Sequence, residues 1–438
     1  MDSRTIAAVS TPPGTSGVAV IRVSGPASRN VATGLAGCVP EPRRALLATL
    51  RNPVSGENLD RGLVLWFPAP HSFTGEDVVE FQVHGGRAVV AVVLRAILST
   101  EGTRPAEAGE FTRRAFENGR MDLAAIEGLG DLLRAETEAQ RRQAFALYQG
   151  RLTSEADRLQ RLLLPVLAMV EAAIDFPDEG DVASDTLAGA RARLGAVKTE
   201  IAGLLADAAR GERVRDGVTV VIAGPPNAGK STLLNAIARR EAAIVSPTPG
   251  TTRDSIEVHL DLAGIAVVLV DTAGLRDSDD AVEREGMRRA QERIAGADLT
   301  LWLAPTAKFS NETLGDQAEF WPIRTQIDRG GAEGGTARHH ISAVTGEGMD
   351  ALLADIAAFA ADRAGGEPAV LVHERHRAIF REVLEAVGLA DAHPDWNDAA
   401  ELVAEALRRA LAALGRSRGR VGTEAMLDEL FSAFCIGK

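Results

Sequence analysis

The 438-residue sequence has little lysine. Of its 48 basic residues only four are Lys, at Lys198, Lys230, Lys308 and Lys438, and the rest are Arg. An ordinary surface cation is written here as Arg, so each Lys singles out its position. Lys198 and Lys308 sit in no motif and read as surface residues. Cysteine is as scarce: Cys38 and Cys435 cannot staple a fold of this size. That excludes a disulfide scaffold and predicts a reducing, cytoplasmic compartment. Cys38 has no motif around it and is expected in the core. Long apolar runs are missing too. The longest, 88–98, is interrupted by Arg95, so no membrane-spanning helix and no membrane partner are predicted. The opening Met1-Asp2-Ser3-Arg4 lacks the charged-then-apolar pattern of a secretory leader, and none is predicted.

What is present is globular. A hydrophobic share of 45% and a charged share of 25% exclude a wholly disordered or collagen-like chain, and the length predicts about two to four domains. The formal net charge of −13 argues against a non-specific nucleic-acid coat. It is unevenly spread: 1–118 carries 12 basic and 11 acidic residues, whereas 217–365 carries 14 and 21.

Three textures follow one another. Residues 1–118 mix β-rich runs (18–23, 63–67, 78–83) with turn clusters such as Thr11-Pro12-Pro13-Gly14, an α+β pattern. From about 121 to 210 the composition turns to Ala, Leu, Glu and Arg at helical spacing, with Leu159, Leu162, Leu163 and Val166 on one face. From Gly217 strands, Gly loops and helices alternate, as in a parallel sheet. After the Gly365-Gly366-Glu367-Pro368 linker the helical texture returns, with Leu402, Ala406 and Leu407 on one face. The predicted architecture is multidomain α/β: an N-terminal α+β domain (1–118), a discontinuous α-helical domain (119–216 and 366–438), and an inserted P-loop domain (217–365).

The run Val218-Thr219-Val220-Val221-Ile222 feeds into Gly224-Pro225-Pro226-Asn227-Ala228-Gly229-Lys230-Ser231, which fits G-x-x-x-x-G-K-S, and a helical stretch follows. Such a loop wraps backbone N–H groups round a β-phosphate at the positive end of a helix. Lys230 reaches the β- and γ-phosphates and Ser231 offers a hydroxyl to Mg²⁺. A second strand run, 267–270, leads into Asp271-Thr272-Ala273-Gly274. There Asp271 is the carboxylate partner of the Mg²⁺ shell, and Gly274 offers an N–H to the γ-phosphate. Between them, Gly250-Thr251-Thr252-Arg253-Asp254 supplies Thr252 as the switch-loop hydroxyl on Mg²⁺.

A guanine base is read by an N/T-K-x-D element after a later strand. Thr325-Gln326-Ile327-Asp328 is the best fit, with Ser342-Ala343 following at a suitable spacing. Asp328 would accept from guanine N1–H and the 2-amino group, although a surface Asp in a loop is the competing explanation. Gln326 stands where the Lys whose stem covers the base is expected. A Ras-type GTPase also places Gln after Asp-x-x-Gly to orient the attacking water; here that residue is Leu275, which has no polar atom. Acidic side chains at Asp277, Asp279, Asp280, Glu283 and Glu285 follow, and spacing does not choose among them. Cys435 lies past an apolar stripe (Met426, Leu427, Leu430, Phe431, Phe434). It is either a buried structural thiol or one activated by a nearby cation such as Lys438.

These residues together resemble the MnmE (TrmE) family of tRNA-modification GTPases. The resemblance is carried by Gly224 to Ser231, Gly250 to Asp254, Asp271-Thr272-Ala273-Gly274-Leu275-Arg276 and the terminal Phe434-Cys435-Ile436-Gly437-Lys438. Thr11 to Gly14, Ser72-Phe73-Thr74-Gly75-Glu76-Asp77, His84-Gly85-Gly86 and Glu171 to Pro177 extend it over essentially the whole chain. The resemblance implies a Ras-like G domain binding GTP and Mg²⁺, and a folate-binding, dimerising N-terminal domain. It implies a homodimer that joins a flavoprotein, MnmG (GidA), in a heterotetramer or larger complex. Together they would add an aminomethyl-type group to C5 of the tRNA wobble uridine, using a tetrahydrofolate derivative (5-formyl or 5,10-methylene). K⁺ would activate hydrolysis where other GTPases use an arginine finger.

Carried over by motif, the GTP contacts comprise Asn227, Ala228, Gly229, Lys230, Ser231, Thr232, Ser246, Pro247, Thr248, Pro249, Gly250, Thr251, Thr252, Asp271, Thr272, Ala273, Gly274, Thr325, Gln326, Asp328, Ser342, Ala343 and Val344. Asn227, Ser246, Thr248 and Thr251 would hold K⁺, and Ser231 and Thr252 Mg²⁺. Glu283 would position the water and Arg276 would order the switch. Arg22, Glu80, Arg120 and Lys438 would line the folate site, and Cys435 would act in the modification chemistry. Family members often carry Lys at the position of Arg120. A ribosome-assembly GTPase switch shares the P-loop and Leu275, but predicts a basic RNA-binding appendage that the acidic helical segments do not supply.

Overall fold

The computed structural model describes residues 4–175, 180–240 (backbone alone over 180–185), 242–244, 257–271, 292–305, 319–330, 336–417, and 419, 428, 431, 432, 434, 436 and 437. The chain forms two compact units: 1–130 with 415–438, and 131–414. These breaks fall within the stretches that composition groups as helical, because contacts rather than texture define them.

The first unit is built on a six-stranded sheet of β1 (Thr5–Val9), β2 (Ser16–Ser24), β3 (Leu46–Arg51), β4 (Asn58–Phe67), β5 (Val78–Gly85) and β6 (Thr103–Pro105), in the order β3-β4-β5-β2-β1-β6. All pairings are antiparallel except β1 with β6. Alternation decides the faces. Ile21, Val23, Val79, Phe81 and Val83 form one core with Val31 and Leu35 of α1 (Ser28–Ala36) and Val93 and Ile97 of α2 (Arg87–Leu98). Ile6 and Ala8 form a smaller cluster with Phe73, Ala106 and Phe111, the last on α3 (Glu110–Glu117). Cys38 lies just after Gly37, the left-handed cap that ends α1 (φ 81°), and is exposed. The expectation of a core cysteine fails because the cap turns the chain out of the α1 packing.

Arg114 is buried between two carboxylates, with Nη1 3.0 Å from Glu76 Oε2 and Nη2 3.0 Å from Glu110 Oε1. Burial alone would raise the Glu110 carboxyl. Hydrogen bonds from Arg104, the Glu107 amide and Arg114 hold it below its usual value. That stabilisation is present above the unfolded pKa and is lost as pH falls through the lowered folded one.

The chain end returns to this sheet. Ile436 bridges Ala108 in antiparallel sense. Ser10 Oγ donates to the Gly437 carbonyl at 3.0 Å. Phe431 and Phe434 pack with Ile126. Gly109, which caps α3 at φ 66°, lies so close to Phe431 that a Cβ there would sit 2.3 Å from its carbonyl oxygen.

The second unit joins the helices α5 (Glu138–Tyr148), α6 (Arg151–Asp175), α7 (Gly180–Asp216), α10 (Glu374–Ala392) and α11 (Ala400–Arg416) to a second sheet, which α5 and α7 touch directly; α4 (Leu123–Arg134) spans the break at 130/131. The buried stripe of α6 is Leu159, Leu163, Val166 and Val170, while Leu162 is 41% exposed. On α11 it is Val403, Leu407, Ala410 and Leu414, while Leu402 is 61% exposed. Both leucines were expected on the inner face. At about 100° per residue the four buried positions of each stripe fall within an arc of roughly 60°, and Leu162 lies about 40° and Leu402 about 80° outside it. Among the described residues no helix is long and apolar enough to cross a membrane.

The second sheet holds β7 (Val218–Ala223), β8 (Glu257–Leu262), β9 (Ile265–Asp271), β10 (Leu299–Ala304), β11 (Glu319–Arg324) and β12 (His339–His340), in the order β12-β11-β10-β7-β9-β8. Only β8 is antiparallel to its neighbour. Every residue of β9 is buried, as a strand covered on both faces requires. Ile237 of α8 (Lys230–Ala238) and Ile356 of α9 (Met349–Ala364) share its core with Val220, Leu269, Leu301 and Ile323.

This sheet domain is inserted between α7 and α10; Arg213 on α7 donates Nε to Asp298 Oδ1, ahead of β10, at 2.6 Å, and further hydrogen bonds join the helices to the segment leaving α9 and to the β8–β9 turn. Arg210 on α7 donates Nη1 to the Gly365 carbonyl at 3.2 Å, beyond the end of α9. Gln143 on α5 donates to the Gly211 carbonyl (2.8 Å) and accepts from the Ala369 amide (3.4 Å). The Ala139 amide, two residues past the Thr137 cap of α5, donates to the Gly264 carbonyl in the β8–β9 turn at 2.9 Å.

Gly109→Ala should loosen the docked chain end and lower stability by about 1–2 kcal/mol for the left-handed backbone alone. Gly119→Ala is the control: it has φ 67° and nothing within 4 Å of its added Cβ. Faster amide exchange near Phe431 in Gly109→Ala but not Gly119→Ala is expected. Equal exchange in both would remove the docking role.

Candidate functional site

β7 delivers Gly224 to the C-terminal edge of the parallel sheet, where ligands bind in such folds. The backbone passes β10 so closely that a Cβ on Gly224 (φ 141°) would lie 2.2 Å from the Leu303 carbonyl oxygen. The loop ends at Gly229 (φ 93°), which caps α8 in the left-handed region. First-turn N–H groups of α8 therefore face the loop, making a positive cradle for phosphate. Lys230 Nζ lies across the loop, donating to the Gly224 and Pro225 carbonyls at 2.8 and 3.0 Å.

β7 and β9 are parallel neighbours with Ile222 opposite Asp271. That register brings Ser231 Oγ to 2.9 Å from Asp271 Oδ2. Asp271 is 1% exposed. A hydroxyl and a carboxylate converging beside a phosphate cradle are the oxygen donors that Mg²⁺ takes together with water and phosphate oxygens.

The loop after β11, where the base-reading element is expected, is tied to the phosphate loop. Thr325, buried just beyond β11, donates Oγ1 to the Ala228 carbonyl at 2.7 Å. Gln326 donates Nε2 to the Asn227 carbonyl at 2.9 Å. Asp328 follows in a 3-10 turn (Ile327–Arg329), and Ser342 Oγ donates to its Oδ1 at 2.6 Å. Asp328 is exposed, Ser342 buried, Ala343 half-buried and Val344 75% exposed. Asn227, Ala228, Gly229, Lys230, Ser231, Thr232, Asp271, Thr325, Gln326, Asp328, Ser342 and Ala343 thus belong to one edge of one sheet. The Thr325 and Gln326 bonds to the phosphate loop were not foreseen; only their adjacency to Asp328 in the N/T-K-x-D pattern hinted at them. Ser246, Pro247, Thr248, Pro249, Gly250, Thr251, Thr252, Thr272, Ala273, Gly274, Leu275, Arg276, Glu283, Cys435 and Lys438 lie outside the described residues.

In the first unit Arg22 and Glu80 are opposite one another on β2 and β5. Arg22 Nε donates to Glu80 Oε1 at 2.8 Å, and the two side chains are 18% and 17% exposed. The guanidinium lies 4.9 Å from the Phe73 ring centre and 5.8 Å from that of Phe111. This is also the geometry of a plain cross-strand ion pair. Arg120 is exposed, and its stem lies against Gly75.

A P-loop sheet domain with a magnesium-type hydroxyl–carboxylate pair at the end of its central strands defines a nucleotide hydrolase of the G-domain class. The family description "GTP-binding protein TrmE N-terminus" matches residues 5–120 and "MnmE helical domain" matches 123–435. The tRNA modification GTPase MnmE of Azorhizobium caulinodans is 52% identical over 436 residues, 100% of this chain and 99% of that protein. That of Methylobacterium sp. (strain 4-46) is 53% identical over 433 residues, 97% of each. The solved G domain of the T. maritima FeoB iron transporter is 26% identical over 33% of this chain and 98% of that one, with a TM-score of 0.26, too low to bear on the fold. The chain belongs to the MnmE family of tRNA modification GTPases.

Thr325→Val keeps the shape of a buried side chain but leaves the Ala228 carbonyl unpaired. Such a loss is worth about 1 kcal/mol, so GDP affinity should fall about fivefold with the melting temperature little changed. Unchanged affinity in an equilibrium titration would show that the phosphate loop holds its shape without this bond.

Proposed function

We propose that this chain is a K⁺-activated GTP hydrolase of tRNA modification. It acts as a homodimer with a flavoprotein of the MnmG (GidA) kind and builds an aminomethyl or carboxymethylaminomethyl group on C5 of the wobble uridine (U34). A tetrahydrofolate derivative supplies the one-carbon unit. The observation that carries the hydrolase is the Ser231–Asp271 bond at 2.9 Å beside the Lys230 loop.

Each group has a task in hydrolysis. The α8 N-terminus and Lys230 bind the phosphates and offset negative charge as the γ-phosphoryl leaves. Ser231 and Asp271 would hold Mg²⁺ and its water shell, and the ion would supply positive charge beside the phosphates. Asp328, oriented by Ser342, accepts the two donors on the guanine edge, which adenine cannot match. Leu275 cannot orient water, so Glu283 and a K⁺ ion held by Asn227, Ser246, Thr248 and Thr251 would complete the site. The Arg22–Glu80 pair supports the folate reading: a carboxylate suits the donor edge of a pterin. The Ile436–Ala108 bridge supports a role for the neighbouring Cys435 in the same unit.

Replacing K⁺ by Na⁺ should lower the GTPase rate on the order of a hundredfold, the scale of losing one transition-state charge donor; equal rates would sink the K⁺ assignment. Asp328→Asn should weaken GTP binding by about a hundredfold, as two charge-assisted bonds are lost, and should favour xanthosine triphosphate. An unaltered preference would remove Asp328 as the base reader. Cys435→Ser should abolish the modified uridine in cellular tRNA while leaving GTP turnover intact, and modified tRNA at its normal level would end the catalytic reading of Cys435.

A further inference from the structure

Among the described residues four without a glycine's freedom have a left-handed backbone, and two of them meet at one hydrogen bond: Asn227 (φ 62°) and Gln326 (φ 57°). Asn tolerates that conformation, but it is unfavourable for Gln326. It persists where the surroundings over-determine it, and such sites cluster at ligand clamps. Here the Gln326 amide is engaged at both ends. Its Nε2 donates to the Asn227 carbonyl at 2.9 Å, and its Oε1 accepts from Arg329 Nη1 at 3.3 Å. With a carbonyl on one side and a guanidinium on the other, the amide has a single consistent orientation.

Arg329 ends the 3-10 turn that carries Asp328, and its side chain is exposed. One short turn therefore presents a carboxylate held by Ser342 and a cation tethered through Gln326 to the phosphate loop. A single Lys at 326 would combine a long stem with a charge. Gln326 is shorter and neutral: it spans the gap to Asn227 and brings no charge. A guanidinium supplies one, and its flat face stacks on aromatic rings, including those of bases.

We propose that Gln326 and Arg329 together replace the base-covering Lys of the N/T-K-x-D element, the amide fixing the loop to the phosphate cradle and the guanidinium covering the guanine ring. The proposal rests on the reading of Asp328 as the guanine contact. Both are positioning residues for GTP; neither touches the reacting phosphoryl group.

The test uses the full chain with Mg²⁺ and saturating K⁺. It measures the Kd of a fluorescently labelled GDP and the KM and kcat for GTP in wild type, Arg329→Ala, Gln326→Lys and the double variant. Arg329→Ala should raise both Kd and KM about five- to tenfold, the scale of one cation–aromatic contact, with kcat within about twofold and an unchanged melting temperature. In the Gln326→Lys background the same Arg329→Ala change should cost less than about twofold, because the lysine stem then covers the base. An Arg329→Ala chain with wild-type Kd overturns the proposal, as does an equal loss in both backgrounds. Wild type showing no preference for GTP over ATP would instead sink the Asp328 assignment and carry this proposal with it.

Discussion

The 2.9 Å bond between Ser231 and Asp271 exists because two neighbouring strands are in one register. Ser231 follows the phosphate loop that ends β7, and Asp271 ends β9. Parallel pairing with Ile222 opposite Asp271 brings the two ends level, and a slip of one residue would turn Asp271 to the other face of the sheet. The cores on both sides of β7 and β9 maintain the register. The close pass of Gly224 by Leu303 and the bonds from Thr325 and Gln326 to the phosphate loop then fix that loop against β10 and β11. The nucleotide site is thus a property of strand order more than of any one loop.

The parts legible from sequence were those written locally. A strand, a G-x-x-x-x-G-K-S loop and a helix lie within about twenty consecutive residues, and their chemistry follows from residue type and order. The strand cores around 18–23, 63–67, 78–83 and 267–270 were equally readable, because a buried strand is apolar at every inner position. Helix faces were less so. Leu162 and Leu402 have the right residue type at nearly the right spacing, yet each points away from its core, since spacing leaves the width of a buried stripe undetermined. Cys38 was misassigned because its turn depends on the left-handed cap of Gly37.

Long-range closure was not legible in the residues themselves; only the family resemblance, which groups Lys438 with Arg22 and Glu80, implied that the tail returns to the N-terminal unit. Ser10 and Gly437 are 427 positions apart, and neither looks unusual in its own neighbourhood. The same holds for Gly109, whose need for glycine comes from Phe431 and not from the helix it caps. Gln326 marks an intermediate case. As a departure from a pattern it was visible at once, but only the tethers to Asn227 and Arg329 give it a physical meaning.

The attachments of the inserted sheet domain have a mechanical consequence. Its entry helix α7 and the segment leaving α9 come together at Arg210, and the Gly264 turn lines the same cavity as Arg210 and Gly365. Gly264 precedes β9, and Asp298, which Arg213 binds, precedes β10. These anchors therefore sit where the parallel strands begin, and Asp271 and the phosphate loop sit where they end. Each strand is a rod clamped at one end and loaded at the other.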